Sequence, residues 1–233
     1  MSAATTPVNA VDPDGRWLYR VGGIAALLLG AAYIIIFPLY AHAGAPPGGS
    51  DGETWLKYLA GRTTVWWAIL GLSVLTDFLF VPVALALYLA LKGINRNAML
   101  VATAFVGLFV ALDLAITWSH YASLLTLAAN YAAAANDLKR STYVAAASYA
   151  SAMLASRLLV VYAIVVLSSA ILMIGIVMLK GVFSRTTAYL GVITGILGIV
   201  SFGGFFVTII LNAVLATVWL LFVGYRLYRL AER

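Results

Sequence analysis

Six stretches of the chain, near residues 17–40, 64–91, 98–121, 157–179, 188–205 and 207–225, are apolar and carry at most one charged side chain each. A helix needs about 20 such residues to cross roughly 30 Å of hydrocarbon. No other feature restricts the fold so strongly. With 64% hydrophobic and only 9% charged residues, against about 25% charged in soluble proteins, the chain cannot cover itself with a water-compatible surface. The reading is an all-α, polytopic transmembrane bundle of six helices with lipid as the main solvent.

The last two runs form one apolar stretch from Ala188 to Tyr225, too long for a single crossing and interrupted at Phe202-Gly203-Gly204-Phe205. The Gly pair reads as a tight turn on the outer side; the alternative is one strongly tilted, kinked helix. Basic residues orient the layout. With both termini cytoplasmic, the inner segments hold Arg16, Arg20, Lys92, Arg96, Lys180, Arg185, Arg226, Arg229 and Arg233, and the outer ones Lys57, Arg62, Lys139 and Arg140. That bias follows the positive-inside rule. The net charge of +6 is thus a topology signal, and with no basic face interleaved with aromatics outside the spans, nucleic acid is not an expected partner.

Ala41-His42-Ala43 has the look of a signal-peptide cleavage site, but the apolar run from Val21 to Phe37 exceeds the 7–15 residues typical of such peptides, so the first span is expected to be retained. Absence of cysteine removes disulfides, thiolate catalysis, iron–sulfur clusters and covalent haem. Two histidines leave little for a metal centre, and no cofactor or metal is expected.

Residues 1–15 read as a polar, mobile cytoplasmic tail, and residues 16–233 as a single six-span domain. In the outer loop 41–63, Ser50-x-x-Glu53 has the spacing of a capping box and opens a short segment with Trp55, Leu56, Tyr58 and Leu59. It is expected to lie in the membrane interface, with Trp66 and Trp67 entering the second span as belt residues. Between Gly107 and Gly175 there is neither Gly nor Pro. With a turn at Asn136-Asp137, the flanking helices would run over about 98–136 and 141–179, roughly 58 Å each at ~1.5 Å per residue. They are therefore expected to project as an outer hairpin over about 122–156, either a rigid spacer or a docking surface and cap. Gly22, Ala26 and Gly30, and Gly191, Gly195 and Gly198, mark close helix approaches. Expected partners are the lipid bilayer and, through the hairpin or these small-residue faces, other membrane proteins.

Ionisable groups inside a membrane are costly and usually functional. Asp77 lies about 21 Å above the inner end of the second helix and Asp113 about 22 Å above that of the third, so two acids on consecutive antiparallel helices share one depth. The same ruler places Ser201 and Asn212 near that level, with Ser168 and Ser169 slightly lower. Asp113, Thr117 and His120 fall on one α-helical face, and His120 and Arg157 are expected near the outer boundary. Asp77, Asp113, Thr117, His120, Arg157, Ser201 and Asn212 are the candidate ligand- or ion-binding set. No catalytic residue is assigned, for no His-x-Glu-x-x-His or Gly-x-Ser-x-Gly element is present. The bland alternatives stay open: a protonated acid hydrogen-bonded across helices, a snorkelling arginine, interface histidines, and hydroxyls serving backbone groups.

Leu190-Gly191-Val192-Ile193-Thr194-Gly195-Ile196-Leu197-Gly198, Trp219-Leu220-Leu221-Phe222-Val223-Gly224-Tyr225-Arg226-Leu227, and Asp77-Phe78-Leu79 with Pro82 and Leu87-Tyr88 resemble an uncharacterised bacterial family of small six-helix integral membrane proteins, a domain of unknown function. The resemblance implies a multi-pass protein of the bacterial inner membrane and carries no activity. Three functions fit the sequence: a binding or transport bundle with a mid-membrane carboxylate pair holding a proton, cation or small ligand; an auxiliary or assembly subunit of a membrane complex; and an intramembrane enzyme acting on lipid through the acids and His120.

Overall fold

A computed structural model describes residues 15–204 and 206–232, all of whose regular structure is helical. Apart from Gly15, the expected polar tail lies outside the described residues. The helices are α1 Arg16–Ala43, α2 Gly52–Ala60, α3 Thr63–Leu112, α4 Ser119–Ala132, α5 Asp137–Leu154, α6 Arg157–Val160, α7 Val166–Met178, α8 Arg185–Val200 and α9 Phe206–Ala231. π-helical segments at Asp113–Trp118 and Val161–Val165 join α3 to α4 and α6 to α7. Five helical stretches, Arg16–Ala43, Thr63–Ala132, Arg157–Met178, Arg185–Gly203 and Val207–Ala231, are long and apolar enough to cross a membrane.

α3 is two helices joined at Asn95, whose φ of −151° and ψ of 90° are not helical. The Asn95 side chain accepts from the Ala98 amide at 3.0 Å, capping the second half. The rings of Phe80 and Phe109 meet edge-on at 5.6 Å, and since they stand at nearly equal distances from Asn95, the chain doubles back there. α8 and α9 do the same. Asn212 Nδ2 donates to Thr194 O at 2.7 Å and Ser201 Oγ to Thr208 Oγ1 at 3.1 Å, an antiparallel register that places the turn at Gly204, where φ is +83°. Only a residue without Cβ takes that conformation cheaply, so the alternative of one continuous kinked helix does not hold.

The chain divides into two compact units. The first comprises the chain up to Ala31, Phe78–Val110 and the chain from Ile164 onward. Its helices touch backbone to backbone: a methyl at Gly22 would fall 2.8 Å from Pro82 O, and one at Gly23 2.7 Å from Tyr228 N. Gly195 likewise faces the backbone of Leu172 at 2.7 Å. The glycine faces are thus occupied by the chain's own helices.

The second unit comprises Ala32–Asp77 and Ala111–Ala163. Here α4 and α5 form an antiparallel hairpin with α2 packed against both. Trp55, Leu56 and Leu59 of α2 are buried with Leu124, Leu125, Ala128, Ala147 and Ala150. Those α2 side chains therefore meet protein where the sequence suggested headgroups. Trp66 is fully buried too, whereas Trp67 is 45% exposed. The cap of α2 is Asp51, which accepts from the amides of Glu53 and Thr54, in place of Ser50. The Ser50 carbonyl instead accepts from Ser151 Oγ at 2.8 Å.

The hairpin turn ends at Asn136, whose side chain accepts from the Lys139 amide at 2.9 Å, so α5 begins earlier than the sequence suggested. The expected continuous helix 141–179 is broken at Ala155–Ser156. Ser156 has extended backbone and its hydroxyl accepts from the Leu158 amide. A serine that caps a new helix stops the old one as effectively as Gly or Pro.

Candidate functional site

Asp77 and Asp113 each stand 18 residues from Asn95, so folding back at Asn95 brings them to one level. Both belong to the second unit. They are 2% and 5% exposed, and Asp113 is among the electrostatic neighbours of Asp77. Among the described residues neither acid forms an ion pair.

The π segment begins at Asp113. On an α-helix, residues five apart point about 140° away from each other, but i→i+5 bonding brings them nearly into line. Trp118, five residues on, accordingly donates its indole N–H to Asp113 Oδ2 at 3.1 Å. The same indole faces Asp77, so one N–H stands between two carboxylates. Thr117, 5% exposed, lies beside Asp113. From α1, the Tyr33 hydroxyl comes within hydrogen-bonding reach of Thr76 and within electrostatic reach of both acids, while Thr76 Oγ1 donates to Ser73 O at 2.7 Å.

Three buried oxygens in this cluster, Asp77 Oδ2, Asp113 Oδ1 and Thr117 Oγ1, make no hydrogen bond of ordinary geometry among the described residues, the Thr117 hydroxyl standing near the Asp113 carboxyl without closing a good bond to it. Buried polar atoms nearly always make such a bond, and an exception calls for a guest or a special role. Such a set of oxygens suits a proton or one hard cation. Among the described residues there is no group of three or more His, Cys, Asp or Glu placed to hold a metal ion.

Aromatic rings close the cluster on one side. Trp118 lies 5.6 Å from Tyr121, and Tyr121 stacks on Trp66 at 5.0 Å with 14° between planes. Tyr40 meets Trp66 edge-on at 5.5 Å. These rings, with Tyr33 and Trp118, are the site residues that sequence reasoning missed. Their signal was an excess of Tyr and Trp on either side of two buried acids.

The remaining sequence candidates make no hydrogen bond or ion pair with the acids among the described residues. His120 Nδ1 is bonded to Ile116 O and its ring packs on Tyr149, because the π segment shifts the helical register after Asp113 and takes His120 off that stripe. This geometry does not join imidazole and carboxylates, as lipid hydrolysis would need. Arg157, expected near the outer boundary, begins α6 after the Ser156 break and is exposed, with no ion pair among the described residues. Ser201 and Asn212 belong to the first unit, where they are tied within the α8–α9 hairpin. Ser169 Oγ bonds its own helix at Val165 O. Compared with known proteins, the chain matches no family model, no curated protein and no solved structure, and the site is read from its own geometry.

Proposed function

We propose that the chain is a binding or transport bundle of six crossings in which Asp77 and Asp113 hold a proton or small cation within the membrane. The observation that carries this reading is the set of three buried oxygens without an ordinary hydrogen bond on two facing helix segments. Two uncompensated carboxylates in a low-dielectric interior are too costly to stand without a guest charge. The turn at Asn95 and the antiparallel α8–α9 pair support counting six crossings from five apolar stretches. The excess of Lys and Arg on one set of loops supports both termini on the cytoplasmic side. On this reading the protein, in a bacterial cell, belongs to the inner membrane with the α4–α5 hairpin on the outer side.

The test is flux in proteoliposomes, followed with an internal pH dye and with sodium or potassium tracer. The double variant Asp77→Asn, Asp113→Asn abolishes coupled flux on this account; unchanged flux refutes it. An auxiliary-subunit reading draws on Leu138 and Tyr149 of the hairpin, 78% and 67% exposed. Purification in gentle detergent that returns this chain alone counts against it.

A further inference from the structure

A buried guest site needs a route to water, and several phenolic hydroxyls of the second unit lie within electrostatic reach of the acids. The Tyr33 hydroxyl lies within electrostatic reach of both acids. That of Tyr40 lies within electrostatic reach of Tyr33, Tyr121, Tyr58 and Asp113, and that of Tyr121 within reach of Tyr58 and Asp113. Tyr58 stands at the far end. Its hydroxyl donates to Gly44 O at 2.7 Å, with Ala43 O at 3.2 Å, and accepts from Trp66 Nε1 at 3.2 Å. Gly44 is exposed, and Ala43 also lines an open cavity of about 350 Å³ with His42, Arg62 and Thr63.

We propose that the guest is a proton and that it exchanges with water through the hydroxyls of Tyr58, Tyr121, Tyr40 and Tyr33, entering at the Ala43–Gly44 end of α1. This rests on the reading of Asp77 and Asp113 as a guest site. A hydroxyl both donates and accepts, so once the Tyr58 O–H turns inward from Gly44 O, each oxygen takes a proton from the water side as it releases its own inward, with water bridging the wider gaps. The net result is one proton moved onto a carboxylate oxygen, with no tyrosine ionised. A metal ion would have to shed its hydration shell along rings packed 5.0 to 5.6 Å apart.

The titratable and charged groups around this route are Tyr33 and Tyr40 from α1, Glu53, Lys57 and Tyr58 from α2, Tyr121 and Tyr131 from α4, and Arg62, which lies 4.8 Å above the Tyr58 ring. His42 lines the adjoining cavity.

The experiment is a pH jump on the full-length protein in lipid nanodiscs, read by time-resolved infrared absorption of the aspartate carboxyl groups. Tyr58→Phe and Tyr40→Phe keep the rings and remove one hydroxyl each; Tyr40→Phe also leaves the Tyr58–Gly44 contact intact. Either variant is expected to slow protonation about tenfold, about 1.4 kcal/mol in the barrier, at an unchanged equilibrium midpoint. Wild-type rates in both variants overturn the route while leaving the site in place. A wild-type protein whose acids give no proton-dependent signal overturns the site reading, and the route with it.

Discussion

Gly52 is where the packing of α2 against the hairpin is most exposed to a single methyl group. A Cβ there would lie 2.5 Å from both Ser148 N and Val144 O, and 2.7 Å from Ser148 Oγ. Two of these three atoms are α5 backbone, so no side-chain rotation relieves the clash. Restoring ordinary contact requires α2 and α5 to separate by about 1 Å. Such overpacking costs about 1–3 kcal/mol, and the hydrogen bond from Ser151 Oγ to Ser50 O, worth about 1 kcal/mol, is strained with it. The helix propensity gained by Ala is at most about 1 kcal/mol. Gly52→Ala is therefore expected to destabilise the second unit by about 1–2 kcal/mol, raising its opening roughly tenfold. Limited trypsin digestion at Lys57, Arg62, Lys139 and Arg140 reads that opening. Gly71→Ala and Gly107→Ala are the controls, since nothing stands within 4 Å of a methyl at either site. A Gly52→Ala protein as protease-resistant as wild type, or equal losses in all three variants, refutes the packing argument.

The Asp51 carboxyl is held below the usual carboxylate range, first by the Thr54 hydroxyl and then by the Thr54 amide. A depressed folded value means that its contribution is complete above the ordinary range and is lost as pH falls through the folded value. Hydrogen-exchange protection of the Thr54 amide, corrected for intrinsic exchange, should therefore decline on acidification in wild type and stay level in Asp51→Asn, which keeps a capping oxygen without titrating. Asn212→Leu removes the 2.7 Å bond to Thr194 O and should destabilise the α8–α9 hairpin by roughly 0.6 kcal/mol, at most about 1.7, measured by unfolding in mixed micelles.

That several helices are long and apolar enough to cross a membrane, and that the chain turns at Gly203-Gly204, was legible in the sequence because lipid admits few backbone solutions and glycine marks the turn. Asp77 and Asp113 were legible as a pair because equal counts from a short loop place two antiparallel positions side by side. The partnership of Asp113 with Trp118 was not. Reading a helix at 3.6 residues per turn sets those two on different faces, and the π segment that aligns them depends on tertiary packing and has no compositional mark. The Ser156 break was hidden for a related reason: serine sits comfortably in many helices and stops one only where its hydroxyl finds an amide to cap. Burial of Trp55, Leu56 and Leu59 was equally invisible, since an amphipathic segment looks the same whether its apolar face meets lipid or protein.

Infrared difference spectra of the protein in lipid at neutral pH, wild type against Asp77→Asn and Asp113→Asn, test the buried pair most directly. The account predicts a signal from a protonated carboxyl, or from a carboxylate that responds to added cations, which either substitution removes. Two ionised carboxylates, indifferent to deuteration, to pH and to every cation supplied, would contradict it.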